Sequence, residues 1–430
     1  MRRFRSVTRF PVWTLLASLA IAGSAFGSGF SIFEQGAKAT AMGGAFVATA
    51  DDPSAIFYNP AGMAQQRQLT ILAGGTAINF SNEFKGDPND AFTAGTSGQY
   101  ARHTFVPPNG YVVIPWGQNL TFGVGAFTAY GLRTDWEDPF PGRFVSRDAN
   151  LKTLSVEPAV AWQSTSGMFA IGVGAEYRRA HVILQRNNGS LNPFTGRFVD
   201  VANVYLNSDW NSAWGYNVGV LIKPNDTWRI GAAYRSDMDI DFTGDADFTQ
   251  IPTGNAQLDA IVASQLPPDQ GIHAKFAFPA TIQAGVATTA IPNWDIELDV
   301  THTTWSRFET LLVQFDQNPE RNLNRPQNWK NTFSYRIGGN RRVTPDWDVR
   351  LGAVYDKNPQ PTEAVSPLLP DADRTGVMFG IGYHKGPWIF DASDMILHFK
   401  DRSTNGQSPE FNGTYKTSAN LISLNVGLRF

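Results

Sequence analysis

Trp294-Asp295-Ile296-Glu297-Leu298-Asp299-Val300 decides the fold. In an extended chain successive side chains point to opposite faces, so Trp294, Ile296, Leu298 and Val300 share one side while Asp295, Glu297 and Asp299 share the other. The C-terminal stretch repeats the pattern, with Ile422, Leu424, Val426, Leu428 and Phe430 opposite Ser423, Asn425, Gly427 and Arg429. Phe169, Ile171, Val173 and Tyr177 stand in the same way against Gly172, Gly174 and Glu176. A soluble sandwich alternates too, so the solvent must be read from the connections.

Working outward from these stretches, fourteen alternating segments are expected, at roughly 69-80, 103-115, 119-131, 150-163, 168-184, 208-223, 227-243, 274-290, 294-315, 331-343, 347-357, 373-385, 388-399 and 415-430. Six connections are very short, at Gly117-Gln118, Ser164 to Ser166, Pro224 to Asp226, Ile291 to Asn293, Pro345-Asp346 and Gly386-Pro387; the seven between them are long and polar. Short and long connections in strict alternation mark an antiparallel transmembrane β-barrel with tight periplasmic turns and long outer loops, both termini lying on the periplasmic side. Hydrocarbon leaves no partner for a free sheet edge, so the sheet must close. Trp116, Trp162, Trp228, Trp294, Trp347 and Trp388 beside the short turns suit an interfacial girdle, and the terminal Phe430 suits recognition by outer-membrane assembly machinery.

Composition agrees. Charged residues are 17%, aromatics 13%, glycine 40 and cysteine 0, with a mean hydropathy of -0.24. A helical membrane bundle is excluded, because the one uncharged apolar run, Val12 to Ser28, is N-terminal. Disorder is excluded by 42% hydrophobic content, and disulfide or zinc-thiolate frameworks by the absence of cysteine. Residues 1-27 read as a signal peptide: Arg2, Arg3, Arg5 and Arg9, then an apolar core, then Ala25-Phe26-Gly27 with cleavage after Gly27. Losing four arginines and no acid takes the formal charge from -3 to -7, which disfavours nucleic acid as a partner.

Residues 28-68 differ in kind. They are rich in small residues, show no sustained alternation, and carry Phe30, Ile32, Phe33, Phe46, Ile56, Phe57 and Tyr58, too apolar for a wet tail. Turn signals stand at Gly43-Gly44, Asp51-Asp52-Pro53 and Asn59-Pro60. A plug inside the barrel formed by residues 69-430 is the expected role.

This stretch resembles the N-terminal hatch of the FadL family of outer-membrane transporters of long-chain fatty acids and hydrocarbons, through Gly29-Phe30, Gly43-Gly44-Ala45, Ala50 to Ala55 and above all Asn59-Pro60-Ala61. Tyr130-Gly131-Leu132-Arg133-Thr134, Glu176 to Ala180 and Trp305-Ser306-Arg307-Phe308 continue the likeness. The resemblance implies a fourteen-stranded barrel plugged by its N-terminus and passive passage of a hydrophobic ligand. Capture among the outer loops would precede transfer to a pocket at the hatch and sideways exit through the barrel wall.

Candidate residues follow for each step. Ala256, Leu258, Ile261, Val262 and Leu266 have near-helical spacing in the loop 244-273 and are candidates for capture. Phe30, Ile32 and Phe33 are candidates for the pocket. The resemblance selects Arg179 for an anionic head group, but strict alternation puts Arg178 on the lumen face and Arg179 with the apolar set, unless a bulge intervenes. Ala129, Tyr130 and Gly131 are expected, by resemblance, to kink inward and form the lateral exit. The partners expected are a long-chain fatty acid or similar ligand and outer-membrane lipid. No cofactor or metal is expected: no glycine-rich phosphate loop is present, and the six histidines form no catalytic or metal-binding motif. The alternatives are a general porin and a structural or adhesive barrel.

Overall fold

The computed structural model describes residues 29-430, so the signal peptide and its cleavage site lie outside the described residues. The first wall strands are β1 (Thr70–Gly86), β2 (Pro108–Trp116), β3 (Leu120–Phe127), β4 (Asp148–Gln163) and β5 (Phe169–Asn192). Then come β6 (Asn211–Ile222), β7 (Trp228–Arg235, continued by Met238–Gln250), β8 (Gln270–Phe278, continued by Thr281–Thr288) and β9 (Trp294–Thr303, continued by Thr310–Phe315). The ring is completed by β10 (Thr332–Arg342), β11 (Trp347–Asp356), β12 (Arg374–Lys385), β13 (Trp388–Phe399) and β14 (Gly413–Arg429). Each pairs antiparallel with its neighbours, and β1 pairs with β14 from Thr70↔Arg429 to Gly86↔Gly413, which closes the ring.

Burial is the reverse of that in a water-soluble fold. Large apolar side chains such as Ile171, Ile230, Leu298, Ile337, Leu351, Phe379, Ile396 and Leu424 are exposed on the outside. Glu157, Glu176, Arg178, Arg235, Glu297, Asp299, Arg336, Arg350, Asp356, Arg374 and Asp391 are buried inside. Only a hydrocarbon surround makes that arrangement favourable, because apolar surface then touches lipid and each charge finds its partner within. Trp116, Trp162, Trp228, Trp347 and Trp388 are exposed beside the tight turns. Gly117 and Gly386, in two of those turns, adopt the left-handed backbone that glycine tolerates.

Two expectations need correction. The region after residue 184 is not all loop: β5 runs on to Asn192, and Arg197–Ser208 folds back onto it and onto the outer part of β7. Here Gln185, Asn187, Asn203 and Tyr205 make the outward face polar because it lies beyond the lipid, while Leu184, Val204 and Leu206 face inward, so the apolar-outward alternation of the lipid-crossing strands is absent. Secondly, the expected third segment is interrupted: β3 stops at Phe127 and resumes as Gly131–Asp135.

The N-terminal segment forms α1 (Ala37–Ala41), α2 (Ala55–Tyr58) and a 3-10 helix at Pro60–Gln65. Its contacts reach around the ring. Thr76 Oγ1 of β1 donates to the Glu34 carbonyl, Tyr111 OH of β2 to that of Gln35, and Asn217 Nδ2 of β6 to that of Ile56. Arg235 of β7 and Arg336 of β10 donate to the carbonyls of Phe57 and Gly43, and the Ala37 N–H donates to Asn425 Oδ1 of β14. A segment bonded to strands on all sides of a closed ring lies within it.

Candidate functional site

The lumen segment is fixed by features its sequence announces. Asn59 caps the 3-10 helix by accepting the Ala61 N–H, while its Nδ2 donates to the carbonyls of Val47 and Val220. Pro60 fits the first helical position because its missing N–H has no partner there. A Cβ at Gly219 or Gly172 of the wall would collide with Asn59 or with the Pro60-Ala61 backbone, so these glycines let the segment approach closely. Gly43 and Gly44 take left-handed conformations at φ 71° and 74°.

Four consecutive amides dock on two carboxylates of β9. Phe46 and Val47 N–H donate to Asp299 Oδ2 at 2.8 and 3.1 Å; Ala48 and Thr49 N–H donate to Glu297 Oε1 and Oε2 at 2.7 and 2.8 Å. The alternation read first in the sequence places both acids inward. A second cluster lies on β4, β5 and β7. Arg178 pairs with Glu176 at 2.6 Å, Arg235 with Glu157 at 2.7 Å, and Arg235 also with Glu176.

The wall is broken at residues 128-130. Pairing of β3 with β4 ends at Phe127↔Ser155 and resumes at Gly131↔Lys152, one residue out of register, while pairing with β2 ends at Ala126. The N-terminal segment occupies the break: Ile32 N–H donates to the Ala129 carbonyl and Gly131 N–H to that of Phe30, each at 2.9 Å, and Ser31 bridges Tyr130. The expected discontinuity at Ala129, Tyr130 and Gly131 is therefore present as a backbone feature.

Phe30 sits among Trp305, Phe276, Trp329 and Phe308, with ring centres 4.6 to 5.8 Å away. Ile32 and Phe33 line a cavity of about 60 Å³ with Phe57, Ala129, Tyr130, Arg235 and Arg374. Arg336 lies 3.9 Å above the Phe33 ring. Towards the outer loops runs an apolar trough lined by Val182, Leu184, Leu206, Phe242, Ile272, Phe276, Leu311 and Val313. Phe276 joins it to the Phe30 cluster at 5.1 Å. Its other end shares Leu184, Leu206 and Leu311 with a hollow that also holds Arg186 and Arg325. Arg325 donates to the Val145 carbonyl at 3.3 Å, and its Nε lies 3.2 Å from Glu410 Oε1 without hydrogen-bond alignment. Arg186 has no hydrogen bond or ion pair from its side chain among the described residues.

The candidates from sequence separate accordingly. Phe30, Ile32, Phe33, Ala129, Tyr130 and Gly131 come together. Arg178 is fully buried, 4.5 Å from the Tyr130 ring. Arg179 is a correction: the register through both residues is continuous, no bulge turns it inward, and it points outside, 5.5 Å from the Trp210 ring. The capture candidates lie apart from the trough. Helix α3 (Ala256–Gln265) forms, N-capped by Asn255, but Leu258 is buried beneath it, Ile261 is exposed, and neither they nor Val262 line the trough. The loop-helix stripe is too short to build a groove; strand extensions build it instead. Arg186 was missed because the alternation was cut at residue 184: continued, it puts 182, 184 and 186 on one face. Arg325 lies in a polar loop with no pattern to find it by.

Between β11 and β12, the buried Asp371 accepts the Gly29 N–H at 3.0 Å. Burial pushes its carboxyl up to about 6, against the lowering effect of that N–H and of Arg374.

Residues 18–430 match the outer membrane protein transport protein family that groups OMPP1, FadL and TodX. The chain belongs to this family. Members of the FadL/TodX family are outer-membrane transport channels for hydrophobic compounds, not enzymes. The long-chain fatty acid transport protein of Escherichia coli O6:H1 is 24% identical over 391 residues, covering 86% of each chain. The 47 kDa outer membrane protein of Pasteurella multocida is 27% identical over 439 residues, covering 97% of this chain and 98% of its own. Among solved structures, a Pseudomonas aeruginosa FadL homologue gives a TM-score of 0.79 at 20% identity, covering 95% of this chain and all of that one. The Ralstonia pickettii toluene transporter TbuX gives 0.69 at 20% identity, covering 93% of this chain. At these identities the structural likeness within the FadL/TodX family speaks for the fold alone.

Proposed function

We propose that this barrel takes up amphiphiles with a long apolar chain and an anionic head, long-chain fatty acids first, and releases them sideways through the break at residues 128-130. The observation that carries this reading is that break, occupied by the backbone of Phe30 to Ile32 at the end of an apolar path. Leaving apolar surface in water costs about 0.8 kcal/mol per methylene, so a long chain needs a dry route. The trough lined by Leu184, Leu206 and Leu311 is the first station, and Arg186 and Arg325 hold the carboxylate, because a half-buried cation gains most from an ionic acceptor. The Phe30 cluster and the cavity at Ile32 and Phe33 follow. Residues 29-68 act as the plug, anchored through Asn59, Pro60 and Ala61, so that ions do not leak while the ligand passes. The voids are about 40 Å³ in the trough and 60 Å³ at Phe33, against roughly 300 Å³ or more for a typical ligand pocket. Ligand entry therefore requires Phe30 and its backbone to move, which also uncovers the break.

Transport is passive, driven by the ligand gradient. Purified protein in vesicles should speed oleate transfer with saturation and without an energy source. Transfer no faster than with an unrelated porin would end this reading in favour of a structural barrel, and a large steady ion conductance would favour a general porin.

A further inference from the structure

Arg179 points out of the lumen and has no part in the path just described. Along the outside of β5, upward from the tight turn, come Phe169, Ile171, Val173, Ala175 and Tyr177, an apolar run ended by an aromatic. A span of about 9 to 11 tilted residues crosses the hydrocarbon layer, so Arg179 is the first outward residue beyond it, at the level of the outer head groups. On β6 the same level is marked by Trp214, whose ring lies 5.0 Å from that of Tyr177, with Trp210 above it. The Arg179 guanidinium lies 5.5 Å from the Trp210 ring, and the His181 imidazole stacks on that ring at 5.3 Å. Lys152 of β4 pairs across the strand with His181 and so stands diagonal to Arg179.

Neither cation is neutralised. Some outward cations at this end of the barrel have carboxylates, as Arg133 with Asp148 at 3.0 Å, Lys275 with Asp239 at 3.0 Å, Arg307 with Asp239 at 2.7 Å and Lys416 with Asp401 at 3.4 Å, whereas the exposed Lys85, Arg102, Arg197 and Lys400 stand on other parts of the rim without one among the described residues. Arg179 and Lys152 have no ion pair among the described residues. Of the acids whose charge reaches this corner, Asp148 of the same strand as Lys152 is paired with Arg133 and Asp209 accepts the Thr243 hydroxyl at 2.9 Å, while His181 Nε2 is engaged with Asn207 Oδ1 at 3.0 Å.

We propose that Arg179 and Lys152, on the Trp210 and Trp214 platform, form a binding site for the phosphate of an outer-leaflet lipid head group. Two unpaired cations on adjacent strands can share one phosphate, the guanidinium through paired N–H bonds and the ammonium as a point charge. The aromatic rings give the sugar or glycerol of such a lipid a flat surface at the depth where indoles settle. Lys152 is also in register with Gly131, so the bound lipid stands at the edge of the wall break.

The test uses the full-length protein purified in detergent and measures lipid retention by native mass spectrometry. Its probes are diphosphoryl lipid A, the same lipid dephosphorylated, and inorganic phosphate. The unaltered protein should retain the diphosphoryl form at least tenfold better than the dephosphorylated one. A variant carrying Arg179→Gln and Lys152→Gln, heat-modifiable and hence folded, should lose that preference; Arg179→Glu alone should do so too. Equal retention of the two lipids, or a variant that keeps the preference, overturns the proposal. Displacement of the lipid by inorganic phosphate at an equal concentration would overturn the assignment to a lipid.

Discussion

At the scale of single residues, two neighbouring arginines meet opposite fates. Arg178 is buried against Glu176 in a cluster of two acids and two arginines, and removing it leaves Glu157 and Glu176 to share Arg235, one buried negative charge in excess, at a cost of about 3–5 kcal/mol. Arg178→Met should therefore destabilise the barrel by that order, while Arg179→Met should change it by less than about 0.5 kcal/mol. Urea unfolding in lipid vesicles measures both, and equal losses would contradict the register. Asp371 offers a pH test. Its carboxyl is held up to about 6 from an ordinary value of 3.8, so the folded state keeps the proton more tightly than the unfolded chain. The sign follows: ionised Asp371 weakens the fold above pH 6, and that penalty, roughly 3 kcal/mol, fades as pH falls through 6 towards 4. Asp371→Asn keeps an acceptor for the Gly29 N–H and should remove this component of the stability profile. An unaltered profile between pH 4 and 6 would assign the slope elsewhere.

At the scale of elements, the fourteen wall strands were legible because lipid enforces one apolar face, and the period-2 pattern survives wherever a strand crosses it. The pattern fails where lipid ends. In residues 185-208 the outward side chains are polar and the apolar ones, Val204 and Leu206, face inward, so the expected pattern is lost there and Arg186 was hidden with it. The apolar residues of the N-terminal segment and its likeness to a hatch set it apart from the wall strands, but its docking partners were not legible. Nothing local in Glu297 and Asp299 reveals that they receive the amides of residues 46-49. Replacing both by Ala should orphan four buried N–H groups, each costing about 1–3 kcal/mol, and should loosen the plug. Planar-bilayer recording should then show frequent ion-conducting openings; a silent channel would mean that other contacts suffice. The break in β3 carries its own prediction. Gly131→Val should favour continued pairing with β4 and lower oleate uptake several-fold in a folded barrel, and unchanged uptake would argue against exit there.

At the scale of the whole molecule, the tight turns and the outer loops fall at opposite rims. A cysteine in place of Gly117 should react only with reagents reaching the periplasm, and one in place of Asn405 with impermeant reagents added to intact cells. Labelling of both from outside would invert the topology. On the route proposed above, a ligand would descend from the outer loops between β5, β8 and β9 and turn out through β3, away from the part of the N-terminal segment docked on β9.

The seam between β1 and β14 has a consequence for biogenesis. The wall becomes a cylinder only when residues 70-86 meet residues 413-429, a contact spanning more than three hundred residues of chain. Residues 29-68 precede all of those strands, so the sheet stays an open curtain, with the N-terminal segment beside it, until the last strand arrives. A short epitope spliced into the tip around Asn405 should leave the seam untouched, whereas the same epitope fused after Phe430 burdens the last stitch.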